Sequence, residues 1–258
     1  MTKITAAAAA CILALAGGAA LGQARSGYLD GADAPDMIRV LPPAPTAGTT
    51  RYEADRTVYL ATRALKDSPR WALAQNDIDQ RAILKDMACS VGVELTPQNA
   101  PKLTSLLMKI APDVGRAVNR PKDHYGRKRP YLIDEGPICA DKTPGLAASP
   151  DYPSGHTTWG WTVGLILAEL APDRATDILA RARSFGESRL VCGVHNLSAV
   201  EEGRTTASAL VAALHGSADF RADLDAARAE VARARAAGPA PDAASCAAEA
   251  ELVAKPLF

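Results

Sequence analysis

Apolar residues recur at helical spacing along most of this chain, and no segment alternates apolar and polar residues as a half-buried strand would. Residues 96–119 are the clearest example, because Leu103, Leu106, Leu107 and Ile110 fall on one face. Similar spacing continues through further segments, which are residues 51–66, 71–90, 157–171, 173–189, 196–215 and 221–237. The pattern predicts an all-α fold.

Proline and glycine mark the connections between these segments. Residues 133–153 contain several of both and predict a long loop, which we expect to form the rim of a ligand pocket. Asp55 is expected to cap the first helix of the domain. Residues 122–130 are expected to lead out of the third helix into a loop.

The chain length of 258 residues is typical of one domain with a substantial core. Residues 25–50 are rich in Gly, Pro, Ala and Thr and predict an extended arm. Residues 238–258 follow a Gly-Pro stop and predict a C-terminal tail. The remainder, residues 51–237, is expected to form a single globular helical-bundle domain.

The first 24 residues are typical of a secretory signal peptide. Lys3 supplies the short positive region, residues 4–16 are apolar, and Gly22-Gln23-Ala24 fits a cleavage site. A membrane anchor is the weaker interpretation, because this stretch is short and rich in Ala and Gly. We therefore expect a periplasmic or secreted protein.

The charge balance gives no electrostatic basis for binding nucleic acid or an anionic membrane. The whole chain has 29 basic and 29 acidic side chains, and removal of residues 1–24 takes away only Lys3, leaving 28 against 29. The next apolar run, residues 161–168, is too short to span a bilayer. We expect a small-molecule partner and leave a homo-oligomer open.

Three short segments contain the residues that phosphate chemistry needs. They are Lys122 with Arg129-Pro130, then Pro153-Ser154-Gly155-His156, and last Ser188-Arg189 with His195. Arginine offers a planar pair of donors to phosphate oxygens, and lysine adds a compact charge. Backbone N–H groups at a helix start also favour an anion, and a glycine there lets phosphate approach the backbone closely.

Two of the four histidines, His156 and His195, fall in these segments. A neutral imidazole can attack phosphorus and become a phosphohistidine, while a protonated one can donate to the leaving oxygen. Each segment alone has a simpler explanation: residues 153–156 as a turn with a helix cap, and His195 as a structural histidine. Their occurrence together and in this order favours a phosphate site.

Through these residues the chain resembles the bacterial class A non-specific acid phosphatases. That family belongs to the type 2 phosphatidic acid phosphatase superfamily, which also contains vanadium haloperoxidases. The superfamily pattern is a Lys, six residues and Arg-Pro; then Pro-Ser-Gly-His; then Ser-Arg, five residues, His, three residues and Asp. The likeness extends over residues 55–235 and includes every motif residue except the last.

The resemblance implies an all-α helical bundle and a role for each matched residue. Phosphate would be bound by Lys122, Arg129, Ser154, Gly155 and Arg189. His195 would be the nucleophile and His156 the general acid, with no metal or other cofactor required. The implied activity is hydrolysis of many phosphate monoesters, with phosphoryl transfer to alcohols as a side activity.

The departure is Ala199, which occupies the position of the family's Asp. On a helix, positions i and i+4 are neighbours, so an Asp there can hold the proton-bearing nitrogen of the nucleophile. Glu202 or a water is our candidate substitute, although Glu202 lies about 10 Å further along the axis by helix rise. Asn196, Ser198 or a backbone carbonyl are alternatives.

Three functions remain open. The leading one is the acid phosphatase, and a haloperoxidase using vanadate is a second enzymatic interpretation. The third is a phosphate- or phosphoester-binding protein whose turnover was weakened or lost through Ala199.

Four of the five cysteines remain after signal cleavage, and an even number in an exported chain predicts disulfides. Four cysteines allow three pairings. We expect Cys139 with Cys192, because both neighbour motif segments that converge on phosphate, and therefore Cys89 with Cys246. Buried free thiols are the alternative.

Overall fold

The computed structural model describes residues 27–258, and in this range it contains twelve α-helices and no strand. The all-α prediction is confirmed, whereas the predicted signal peptide, residues 1–24, lies outside the described residues. The helices are α1 (Met37–Val40), α2 (Thr50–Thr62), α3 (Pro69–Asn76), α4 (Ile83–Asp86), α5 (Ala88–Val91), α6 (Pro101–Tyr125), α7 (Pro144–Ala148), α8 (Gly155–Leu170), α9 (Ala175–Val191), α10 (Leu197–Leu214), α11 (Ala218–Ala237) and α12 (Ala243–Ala254).

Helix α8, which follows Pro-Ser-Gly-His, is the centre of the bundle. It packs against both α9 and α10, while α6 packs against α11 and closes the other side. The α8 side chains Val163, Ile166 and Leu167 are fully buried in the main core. No helix within residues 27–258 is both long and apolar enough to cross a bilayer.

Two glycines let α8 and α9 approach each other closely. A Cβ atom on Gly160 would lie 2.3 Å from the ring of Phe185, and one on Gly164 would lie 2.4 Å from the Cβ of Ala182. Neither position has space for a larger side chain. The resulting close contact positions the start of α8 beside the end of α9, which are the two segments that carry predicted phosphate ligands.

Helix α6 extends further than the sequence predicts. It continues through Pro121 and ends at Tyr125, where Gly126 adopts a left-handed conformation with φ of 55°. Proline removes one N–H donor from a helix and crowds the carbonyl four residues earlier, but its φ angle is compatible with a helix, and α6 continues through Pro121. Lys122 therefore lies in the last helical turn and not in a loop as predicted.

The start of α2 also differs from the prediction. The side chain of Thr49 caps this helix by accepting a hydrogen bond from the N–H of Tyr52. Asp55 lies within the helix and is buried, and it accepts hydrogen bonds from the N–H and hydroxyl of Ser198. Asp55 thus stabilises the start of α10, a helix distant in sequence.

The two disulfides have the predicted pairing, Cys139 with Cys192 and Cys89 with Cys246. The first fastens the long loop to the end of α9, beside the segment that leads to His195. The second fastens α12, which forms most of the predicted tail, to α5.

Replacing Gly164 by Ala is expected to destabilise the fold by about 1–3 kcal/mol, because the added methyl must displace Ala182 in a packed interface. Gly115→Ala on α6 is the matched control, since nothing lies within 4 Å of a Cβ at that position. The control is expected to gain about 0.5–1 kcal/mol from helix propensity. Urea unfolding measures both, and equal stability of the two variants would contradict the close α8–α9 contact.

Candidate active site

A cavity of about 750 Å³ brings together most of the predicted site residues from the three separate segments. Those that line it are Lys122, Arg129, Gly155, His156, Arg189 and His195. Ser154 is the exception, because it is fully buried and does not belong to the lining. The three motifs therefore form one site.

The two arginines are held by backbone carbonyls. Arg129 donates to the carbonyl oxygens of Ser149 and Val194, each at 2.8 Å. Arg189 donates to the carbonyl of Ala74 at 2.9 Å, and its Nε atom is buried without a partner. A carbonyl fixes a guanidinium without cancelling its charge, so both arginines remain available to an anion.

Lys122 is held in the same way, through a hydrogen bond from Nζ to the carbonyl of Pro150. Burial, followed by the nearby positive charge of Arg129, lowers the pKa of Lys122 to about 8. Burial also lowers the pKa of Arg189 to about 10. We call Lys122, Arg129 and Arg189 the cation cluster; its charges are desolvated and would be stabilised by a bound anion.

His195 is hydrogen-bonded on both ring nitrogens. Nε2 lies 3.1 Å from Nη1 of Arg129, and Nδ1 lies 2.8 Å from Oδ1 of Asp151. Burial, and then the charge of Arg129, lowers the pKa of His195 to about 3, although Asp151 acts in the opposite direction. The imidazole is therefore neutral at mildly acid and neutral pH.

His156 lies in the first turn of α8 with its ring stacked on Phe185, the ring centroids 4.4 Å apart. Its Nε2 atom is buried and has no hydrogen-bond partner. Burial, and next the charge of Arg189, keep the pKa of His156 well below its usual value. A bound anion would supply both a partner and a counter-charge.

The start of α8 presents backbone donors to the cavity. The first N–H groups of any helix lack partners within the helix, and Gly155 and His156 provide them here. The hydroxyl of Ser154 accepts from the N–H of Thr157 at 3.2 Å and so caps this helix. Ser154 consequently supports the anion site as a helix cap, whereas its direct contact with phosphate stays a prediction.

The structure corrects our interpretation of Glu202. This carboxylate forms an ion pair with Arg51, and neither ring nitrogen of His195 is bonded to it. Its distance along the helix explains the outcome, because seven residues separate it from His195 and the chain offers a nearer acid. Asn196, a second alternative, bonds with its side chain to Asp151 and not to His195.

Sequence reasoning missed Asp151. Its fully buried carboxylate accepts from Nδ1 of His195 and, at 3.2 Å and 2.8 Å, from the N–H and the side-chain amide of Asn196. Burial acts to raise the pKa of Asp151, but the hydrogen bond from His195 and the charge of Arg127 hold it below the usual value. The one available signal was its place two residues before Pro153.

A buried ionic network holds Ser188, the residue before Arg189, at the end of α9. Asp77 accepts from Arg181 at 2.6 Å and also from the hydroxyl of Ser188. Arg70 donates to the same hydroxyl at 2.9 Å. These contacts fix the last turn of α9, which directs Arg189 towards the cavity.

The outer part of the cavity is apolar. Its walls include Leu107 and Val114 from α6, Ile83 and Leu84 from the α4 segment, and Trp159 from α8. Within the described part of the chain, residues 27–258, no Asp or Glu lines the cavity. Among residues 27–258, no three His, Cys, Asp or Glu side chains converge in a group that could hold a metal ion.

Residues 103–221 match the family model described as the PAP2 superfamily. An acid phosphatase of Zymomonas mobilis is 44% identical over 214 residues, which cover 82% of this chain and 81% of the relative. The chain belongs to the PAP2 superfamily. This membership confirms the family that the three motifs predicted.

Other relatives in this superfamily are named non-specific acid phosphatases. One from Providencia stuartii is 33% identical, with 80% of this chain and 85% of the relative covered. One from Salmonella typhimurium is 32% identical, with 74% of this chain and 78% of the relative covered. These similarities confirm the predicted enzyme class, an acid phosphatase.

Anion binding is expected to weaken as pH rises through about 8, because Lys122 loses its charge there in the empty site. A bound anion raises the pKa of this lysine, so affinity is full below the pKa of the empty site and falls above it. Sulfate is a suitable probe, since its own charge is constant in this range. Calorimetric titration at fixed ionic strength measures the affinity.

Lys122→Met is the control for this titration. The variant is expected to bind sulfate more weakly and to lack the loss of affinity near pH 8. The same loss in both proteins would assign it to another group.

Proposed function

We propose that this protein is an exported acid phosphatase that hydrolyses a broad range of phosphate monoesters through a phosphohistidine at His195. The observation that carries the proposal is the position of a neutral imidazole against Arg129, in a cavity that also contains His156 and the rest of the cation cluster. A phosphoryl group placed there meets its nucleophile, its proton donor and its charge-stabilising groups together.

The first step is attack of His195 Nε2 on phosphorus. A bond forms between Nε2 and phosphorus while the bond from phosphorus to the leaving oxygen breaks, and His156 gives that oxygen a proton. Water then attacks phosphorus while the bond between Nε2 and phosphorus breaks, His156 takes up a proton from that water, and phosphate leaves. The low pKa of His195, about 3, keeps the nucleophile neutral under acidic conditions.

The substrate itself prepares His156 as an acid. In the empty site its pKa lies well below the usual value, chiefly because the ring is buried and next because Arg189 is close. A phosphate dianion brings negative charge against the ring and so raises the pKa. Protonation of His156 is thereby coupled to substrate binding, and more acidic solutions favour it.

The cation cluster stabilises the transition state. Charge on the transferred phosphoryl group spreads over its equatorial oxygens, which the guanidinium groups of Arg129 and Arg189 and the ammonium of Lys122 can contact. Phosphate would also displace the donor that Arg129 offers to Nε2 of His195. That exchange frees the lone pair for attack.

The apolar outer cavity supports a broad substrate range. Van der Waals contact with side chains such as Leu107 and Trp159 favours an apolar leaving group without demanding one shape. Specific recognition is then limited to the phosphoryl group.

Export is the second part of the proposal. Two disulfides persist most readily in an oxidising compartment, which fits the signal-like sequence of residues 1–24.

His195→Ala is expected to abolish turnover of p-nitrophenyl phosphate, because the variant has no nucleophile. The wild-type enzyme, quenched during turnover of ³²P-labelled substrate, is expected to carry an acid-labile and alkali-stable label that His195→Ala lacks. Sulfate binding by a wild-type protein that shows neither label nor turnover would instead support the phosphate-binding alternative.

His156→Ala is the paired variant in that experiment. It is expected to lose more activity towards an alkyl phosphate than towards p-nitrophenyl phosphate, since only the poorer leaving group depends strongly on a proton donor. Equal losses would remove His156 from the role of general acid.

Gly115→Phe is expected to narrow the apolar cavity, because Gly115 lines it and nothing lies within 4 Å of a Cβ atom at that position. We expect kcat/KM for 1-naphthyl phosphate to fall about tenfold, the effect of losing a small apolar contact, with little change for methyl phosphate. Gly115→Ala is the control and should resemble wild type. A uniform loss for both substrates would place the leaving group elsewhere.

A further inference from the structure

Because Ala199 replaces the family's Asp, another group must hold the imidazole of His195 if the site is to work. We propose that Asp151, in the loop before Pro-Ser-Gly-His, is the positioning residue that orients the nucleophile His195, in place of the helical Asp that the superfamily pattern has where this chain has Ala199. A carboxylate still holds His195, but it comes from position 151 and not from position 199. This inference depends on the proposed function only for its activity readout.

The tautomer of His195 follows from its two neighbours. A carboxylate can only accept, so Oδ1 of Asp151, at 2.8 Å, places the proton of the neutral ring on Nδ1. Nε2 then carries no proton and accepts from Nη1 of Arg129 at 3.1 Å, an atom that also donates to the carbonyl of Val194. The nitrogen that faces the cation cluster keeps its lone pair.

Asp151 is rigidly held, as a positioning residue must be. Its backbone N–H donates to the carbonyl of Arg127 at 2.8 Å. The side chain of Asn196 donates to Oδ2, and the guanidinium of Arg127 lies 3.6 Å from the same oxygen. These contacts leave Oδ1 for His195 and the backbone N–H of Asn196.

Arg127 is itself fixed by two further contacts. It donates to Asp55 at 2.8 Å and to the hydroxyl of Ser198 at 2.7 Å. Asp55 and Ser198 belong to α2 and α10, so three segments converge to hold the loop that carries Asp151. The carboxylate of Asp151 is thus part of a buried network of ion pairs and hydrogen bonds and not an isolated contact.

Ala199 suits this arrangement because it is small and uncharged. Its side chain is fully buried in an apolar cluster with Met37, Leu41 and Tyr152, the residue that follows Asp151. Its carbonyl accepts from the N–H of Ser154 at 2.9 Å, which fastens the same loop to α10. A carboxylate at position 199 would add a second buried negative charge close to the first, so one acid excludes the other.

Asp151→Asn keeps the shape of the side chain and removes the charge that fixes the tautomer. We expect kcat for p-nitrophenyl phosphate to fall by roughly a hundredfold or more, with KM and sulfate affinity little changed. Glu202→Gln is the matched control on α10, since Glu202 pairs with Arg51, and its kcat should equal that of wild type.

The double variant Asp151→Asn with Ala199→Asp tests the exchange of positions. Restoring a carboxylate one helical turn from His195 is expected to recover at least about tenfold in kcat over Asp151→Asn. A double variant no more active than the single one would overturn the claim that the two positions are equivalent.

The tautomer of His195 can also be measured directly, without an activity assay. The ¹⁵N chemical shifts of His195 in wild type should report a proton on Nδ1, and in Asp151→Asn the Nε2-protonated form should appear. A wild-type ring protonated on Nε2, or an Asp151→Asn variant with unchanged tautomer whatever its kcat, would overturn the proposal. Because this measurement uses the resting protein, it remains decisive even if the phosphatase reaction is absent.

Discussion

Three desolvated cations in one cavity wall are the constraint around which the rest of the structure is organised. Lys122, Arg129 and Arg189 lie in the interior, where unpaired charge is costly. Their hydrogen-bond acceptors are mostly backbone carbonyls, which orient the donors without neutralising them. The carboxylates lie one layer further out, so the cavity keeps an excess of positive charge that only an anionic ligand can balance.

The helix packing serves this arrangement. Gly160 and Gly164 allow α8 and α9 to lie close together, so that the N-terminal end of one helix faces the last turn of the other. The backbone N–H groups at the start of α8 and the guanidinium group at the end of α9 then lie at the same cavity. The disulfide between Cys139 and Cys192 adds the long loop to the same corner of the molecule.

The hydrogen bond between Asp151 and His195 illustrates how a histidine can keep a carboxylate partner while the residue that supplies it changes. Any acceptor within hydrogen-bond distance of Nδ1 can hold the imidazole of His195 in one tautomer, whichever chain segment provides it. In this protein the loop that carries Asp151 already approaches His195, because Tyr152 and Ala199 pack together. The small side chain of Ala199 on α10 therefore leaves room for the loop that brings the carboxylate of Asp151 to His195.

The sequence by itself determined the helices, the family and which motif residues line the cavity, namely His156, His195 and the cation cluster, because spacing and motif identity are local properties. It also supported the disulfide pairing. Only the tertiary structure decided that Asp151 contacts His195 and that Glu202 pairs with Arg51, since both contacts join residues distant in sequence. The turn residues around Asp151 gave no sign of its contact with His195. Helix periodicity alone favoured Glu202, which was wrong. Burial likewise decided the protonation of His195, because a pKa depends on the surroundings that folding creates.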